Sequence, residues 1–165
     1  MANMEIKIII GNDITLIGKN KRIFSTVYID CHGTCFPDNQ WTDFTESVLT
    51  SWFNSLIKKR KKKNTTFSLY FMDGSFRMDV FKNENMQLSI NCINDGVVPE
   101  LIKSSFTCSY YDFLQILYEA FKRFEQVLRE KSMIFDGQYR YLKTTMNEIE
   151  GLLIKKNASS KKQKK

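Results

Sequence analysis

The chain has 165 residues, long enough to bury a substantial core as one domain, and its 42% apolar and 13% aromatic content excludes an intrinsically disordered protein. No apolar run approaches the roughly 20 residues of a membrane-spanning helix, and Met1-Ala2-Asn3-Met4-Glu5 lacks the basic start and apolar stretch of a signal peptide. The net charge of +7 misleads if taken whole, as set out below; the chain reads as cytoplasmic, with Cys31, Cys35, Cys92 and Cys108 reduced.

In chain order, Glu5 to Gly11 predicts a first strand, with Ile6, Ile8 and Ile10 alternating against Lys7 and Ile9. Gly11-Asn12-Asp13 marks a turn, Ile14 to Ile17 a short strand, and Ile23 to Cys31 a longer one. In the longer strand Ile23, Ser25, Val27, Ile29 and Cys31 share a face. From Trp41 the apolar residues Phe44, Val48, Leu49, Trp52, Phe53, Leu56 and Ile57 recur at spacings of three and four, the stripe of an amphipathic helix. Trp41, Trp52 and Phe53 are expected in the core. Asp43, with Glu46 three residues on, has the form of a capping box, and Asn39 is the rival cap. The basic run Lys58, Lys59, Arg60, Lys61, Lys62, Lys63 then ends the apolar pattern.

Three strands follow: Thr66 to Met72, Phe76 to Val80 and Met86 to Cys92. Asp73-Gly74 joins the first pair as a tight hairpin, in which both turn residues need positive φ. A last short strand covers Ser104 to Cys108. Ser109 with Asp112 starts a second helix whose stripe is Phe113, Leu114, Leu117, Ala120, Phe121, Phe124, Val127 and Leu128, ending near Lys131. Asp136-Gly137 breaks the chain before a third helix from about Gln138 to Ile154, with Leu142, Met146, Ile149, Leu152 and Leu153 inward. Residues 155–165 read as a disordered basic tail, leaving 1–154 as a single domain. The fold expected is α+β: an antiparallel sheet of five or six strands packed against the Trp-rich helix and a C-terminal helix pair.

Candidate chemistry is sparse. Cys31-His32-Gly33-Thr34-Cys35 clusters three metal-ligand types, with Cys92 or Cys108 as a fourth, but neighbouring strand residues point to opposite faces and the spacing is not that of a zinc knuckle. Buried thiols beside a loop histidine is the preferred reading, with no metal and no cofactor. A single histidine and scattered glycines offer no nucleophile–base pair and no phosphate loop, so the sequence reads as a non-enzyme.

Positive charge is confined to two runs: the six residues from Lys58 to Lys63, and Lys155, Lys156, Lys161, Lys162, Lys164 and Lys165 in the tail. Setting these twelve of the 25 cations aside leaves 13 against 18 acids, a body charge of −5. Nucleic-acid binders commonly spread cations over one face among aromatics, which this sequence does not do. Binding of nucleic acid through Lys58 to Lys63 and the tail is therefore the alternative rather than the first reading.

Phe36-Pro37 followed by Trp41-Thr42-Asp43-Phe44, then a Trp-bearing helix and strands around an Asp-Gly turn, resembles a group of small bacterial α+β proteins of the type found at toxin-immunity loci. The resemblance covers about Ile23 to Val80 and brings no catalytic residues. It implies a stoichiometric binder that neutralises a toxin, and the acidic body suits a basic partner. Asp38, Asp43, Glu46, Tyr110 and Tyr111 are the candidate contacts, as exposed acids and interface-prone tyrosines near the helix start.

Overall fold

The computed structural model describes residues 5–134 and 136–162. The chain is α+β, with two antiparallel sheets and three helices.

The first sheet contains β1 (Ile6–Ile10), β2 (Thr15–Ile17), β3 (Arg22–Cys31), β4 (Thr34–Phe36) and β5 (Thr42–Asp43). β3 is its spine. β1 and β2 pair with successive lengths of it, Ile10 opposite Val27 and Thr15 opposite Phe24. β4 and β5 do the same, Ile29 facing Phe36 and Ser25 facing Asp43. Because β1 and β4 both pair with Ile29–Cys31, they lie on opposite edges of β3. The alternation read from sequence holds: Ile6, Ile8, Ile10, Ile23, Ser25, Val27, Ile29 and Cys31 are all buried. The Cys31–Thr34 pair closes on His32 and Gly33, both at positive φ (56° and 82°), a two-residue turn of the primed kind that matches strand twist.

The second sheet is a meander of β6 (Thr65–Tyr70), β7 (Phe76–Lys82), β8 (Gln87–Asn94) and β9 (Leu101–Ser109), in that order. The expected single sheet of five or six strands is thus corrected to sheets of five and four. Alternation identifies strands but not where a ladder is interrupted, and β4 and β5 are too short to carry a period. The Asp73-Gly74 hairpin forms with a five-residue loop instead of a tight turn: only Gly74 has positive φ (68°), and the Phe71 amide donates to the Phe76 carbonyl at 3.1 Å. Glycine is required there twice over, since a Cβ would also stand 2.9 Å from the Trp41 ring.

The helices are α1 (Thr45–Lys59), α2 (Tyr110–Glu130) and α3 (Asp136–Lys162). α1 starts four residues later than Trp41, so Trp41 stands half-buried before it rather than on its stripe. Its N-cap is Phe44, with no side-chain cap; the Asp43 carboxylate is committed elsewhere, as described below, and Asn39 lies well ahead of the first helical residue, Thr45. Val48, Leu49, Trp52, Phe53 and Leu56 are buried as read. α2 begins at the expected cap, the Asp112 amide donating to Ser109 Oγ at 2.9 Å, and its whole predicted stripe is buried. α3 corrects two expectations. Asp136-Gly137 opens the helix instead of breaking it, and the helix runs through Lys162 where a disordered tail from 155 was expected; 163–165 lie outside the described residues. Lysine and alanine favour helix, the Ser159 and Ser160 hydroxyls donate to the Lys155 and Lys156 carbonyls, and Lys156 is fixed against Tyr111.

α1 packs on β3 and on β6 and so bridges the sheets, while α2 packs on β1, β9, α1 and α3. One apolar cluster joins residues of both sheets and all three helices. The Phe36…Asp43 motif is the clasp between the sheets. Phe36 meets Phe71 and Phe76 edge-on at 5.7 and 5.8 Å, and Trp41 meets Phe76 at 4.9 Å. Asp43 reaches the same hairpin, accepting from the Met72 and Asp73 amides at 2.9 and 3.1 Å.

Candidate functional site

Two of the five residues expected to meet a partner are inside the protein. Asp43 is fully buried and also accepts from the Phe44 amide at 2.7 Å and the Trp41 indole at 3.3 Å. Tyr110 is fully buried, its hydroxyl donating to the Leu56 carbonyl at 3.0 Å, and burial pushes its phenol well above the ordinary tyrosine range. Both expectations are corrected for one reason: each side chain satisfies backbone groups of a neighbouring element, which sequence spacing does not reveal. Asp38 is exposed and accepts from the Gln40 amide at 2.9 Å within its own loop. Tyr111 is half-buried, its ring edge-on to Tyr110 at 5.4 Å.

Glu46 is half-buried in a niche lined by Phe124, Leu128, Met133, Ile134 and Leu142, with Gln138 and Tyr139. Burial raises its carboxyl above the usual glutamate range. The Gln138 Oε1 in the same niche is buried without a hydrogen-bond partner among the described residues. The folded-state pKa lies above the unfolded one, so the native chain binds more protons between the two values and loses stability as pH rises through that window. Glu46→Gln is therefore expected to raise the urea midpoint at neutral pH, with the gain vanishing at a pH below the ordinary glutamate range. A midpoint lowered equally at both pH values would overturn this reading.

Among the described residues no three metal-ligating groups come together. His32 is exposed in the primed turn, and burial pushes the Cys92 and Cys108 thiols up to about 11 and about 12. No described helix is long and apolar enough to cross a membrane.

What the fold does assemble is a groove of about 810 Å³ where the end of α1, the start of α2 and the last turns of α3 meet the β7–β8 turn. Arg60 comes from the residue that follows α1, and its charge acts on the Tyr110 hydroxyl. Met86, at positive φ (61°), gives its carbonyl to the Tyr110 amide at 2.8 Å and so fixes the turn to α2. Asn83 Oδ1 accepts from the Asn85 and Gln87 amides at 2.9 and 3.0 Å, which orders the rest of that turn. α3 contributes Lys155, Lys156, Ser159 and Ser160, and the Lys156 ammonium lies 5.0 Å from the centre of the Tyr111 ring. The described lining carries three cations and no acid. Behind it sits Lys82, 1% exposed, whose ammonium has Met86 Sδ at 3.7 Å as its only polar contact among the described residues.

Comparison with protein-family models, with curated protein sequences and with solved structures yields no match. α2 directs its positive N-terminal end toward this groove.

One cation of the first basic run, Arg60, and two of the second, Lys155 and Lys156, thus meet at the groove. Of the six residues from Lys58 to Lys63, Lys58 and Lys59 are helical and Arg60 lines the groove; Lys61, Lys62 and Lys63 are exposed beyond it. The site is not legible in the sequence because its cations lie about 95 residues apart and the second run reads as a polar tail. The available signal was the Lys-Ala-Ser content of 155–162, which is compatible with continued helix.

Proposed function

We propose that this chain is a non-enzymatic binding protein that holds an anionic partner in the groove between α1, α2 and α3. The observation that carries this reading is the convergence of Arg60, Lys155 and Lys156 with Tyr111 on one concave surface. Inorganic polyphosphate is a suitable probe. The triple variant Arg60→Gln, Lys155→Gln, Lys156→Gln is expected to bind it roughly tenfold more weakly or worse, and with a flatter salt dependence. Lys61→Gln, Lys62→Gln, outside the lining, is the control. Full affinity in the triple variant would remove the proposal.

A second reading, an immunity-type protein that neutralises a basic toxin, is favoured by the body charge of −5 and by the exposure of Asp38. On that reading Asp38→Lys slows association with the toxin encoded beside it, and absence of any complex with that product removes the reading.

A further inference from the structure

The groove offers more than positive charge, and its aromatic member narrows the ligand class. Resting on the reading of an anion-binding groove, we infer that the ligand is a single-stranded nucleic acid, with one base stacked on Tyr111 and adjacent phosphates held by Arg60, Lys155 and Lys156.

Tyr111 lines the groove, and one side of its ring makes an edge contact with Tyr110 at 5.4 Å, so its orientation is fixed from behind. The ring is covered by the Lys156 ammonium at 5.0 Å. A cation over a π-face is readily exchanged for a flat base, and the displaced ammonium is then free to meet the phosphate of the same nucleotide. Both halves of the exchange use groups already in place. Stacking of this kind does not depend on sequence, because every base has a π-face.

The remaining lining suits a nucleotide chain. Ser109, Ser159 and Ser160 bring hydroxyls, and Asn85 and Gln87 bring side-chain amides. The groove, at about 810 Å³, exceeds what a lone phosphate fills. An acidic peptide would satisfy the cations but brings no regular flat face for Tyr111. A duplex presents its phosphates but keeps its bases stacked inside, and the cations here line a concavity between helices instead of standing on a protruding element. A single strand supplies charge and free bases together.

The test uses the full chain, fluorescently labelled dT12 and U12, the corresponding duplexes, and inorganic polyphosphate, followed by anisotropy across a salt series. The single strands are expected to bind more tightly than duplex, with a slope of log K against log salt near −2 for about three phosphate contacts. Tyr111→Leu should weaken single-strand binding roughly tenfold while leaving polyphosphate unchanged, and Tyr111→Phe should restore it. Urea midpoints of both variants separate loss of stacking from loss of fold. If Tyr111→Leu binds single strands as wild type does, or if duplex binds better, the nucleic-acid inference fails; retained polyphosphate binding then leaves the anion-binding groove standing. If neither single strand nor polyphosphate binds, both fail.

Discussion

Trp52→Ala is expected to destabilise the protein by about 3–5 kcal/mol, the range for truncating a buried tryptophan. Trp52 is fully buried, its ring stands edge-on to Phe71 at 5.2 Å, and its indole N–H donates to the Tyr70 carbonyl at 2.8 Å. The side chain therefore fills space between α1 and the end of β6, and it fixes the two by a directional bond as well. Because α1 also packs on β3, loosening this contact weakens the attachment of one sheet to the other. Domains of this size are stable by about 5–15 kcal/mol, so the loss is a large share of the total. At roughly 2–4 °C per kcal/mol, the melting temperature should fall by about 10 °C. Trp52→Phe keeps most of the volume but not the hydrogen bond and should lose much less. Thermal and urea melts followed by circular dichroism give the answer, and an unchanged melt for Trp52→Ala would disprove the assignment of this ring to the core.

Periodicity carried most of the fold. The stripe of α2, the alternation of β3 and the Ser109 cap all appear where the spacing put them, because each depends on local geometry alone. Boundaries failed where a tertiary contact decided them. Trp41 continues the helical spacing of α1, yet its ring is drawn to Phe76 and Gly74, so the chain stays extended through β5 and the helix waits until Thr45. Asp73-Gly74 has the composition of a two-residue turn, but Asp43 binds the amides of Met72 and Asp73 and opens the loop to five residues. The candidate site was the least legible part. Tyr111 was selected as an interface tyrosine and does line the groove, whereas its partners Lys155 and Lys156 were assigned to a disordered tail. A site made from the ends of three helices leaves no local pattern, since its residues become neighbours only once the helices pack.

Asp43 gives the second large effect, and one that separates a structural acid from a contact acid. Its carboxylate is buried and accepts four hydrogen bonds, from the amides of Phe44, Met72 and Asp73 and from the Trp41 indole. Asp43→Ala strands all four donors. A buried donor left unpaired costs about 1–3 kcal/mol, and even with water reaching two of them a loss of about 3 kcal/mol or more is expected. Asp43→Asn keeps one carbonyl acceptor at the same size but turns the other oxygen into a donor that faces donors, so it should recover only part. The damage has an address. Amide exchange at Met72 and Asp73 should accelerate while the Ser109 cap region of α2 keeps its protection. In a Trp52→Phe background, where Trp41 is the remaining tryptophan, its emission should shift to longer wavelength as the ring loses its fixed place beside Phe76. A residue used to contact a partner would behave in the opposite way, with stability and exchange unchanged and binding lost. That pattern in Asp43→Ala would return Asp43 to the recognition surface and would leave the joint between the two sheets to α1 and to the Phe36 and Trp41 ring contacts.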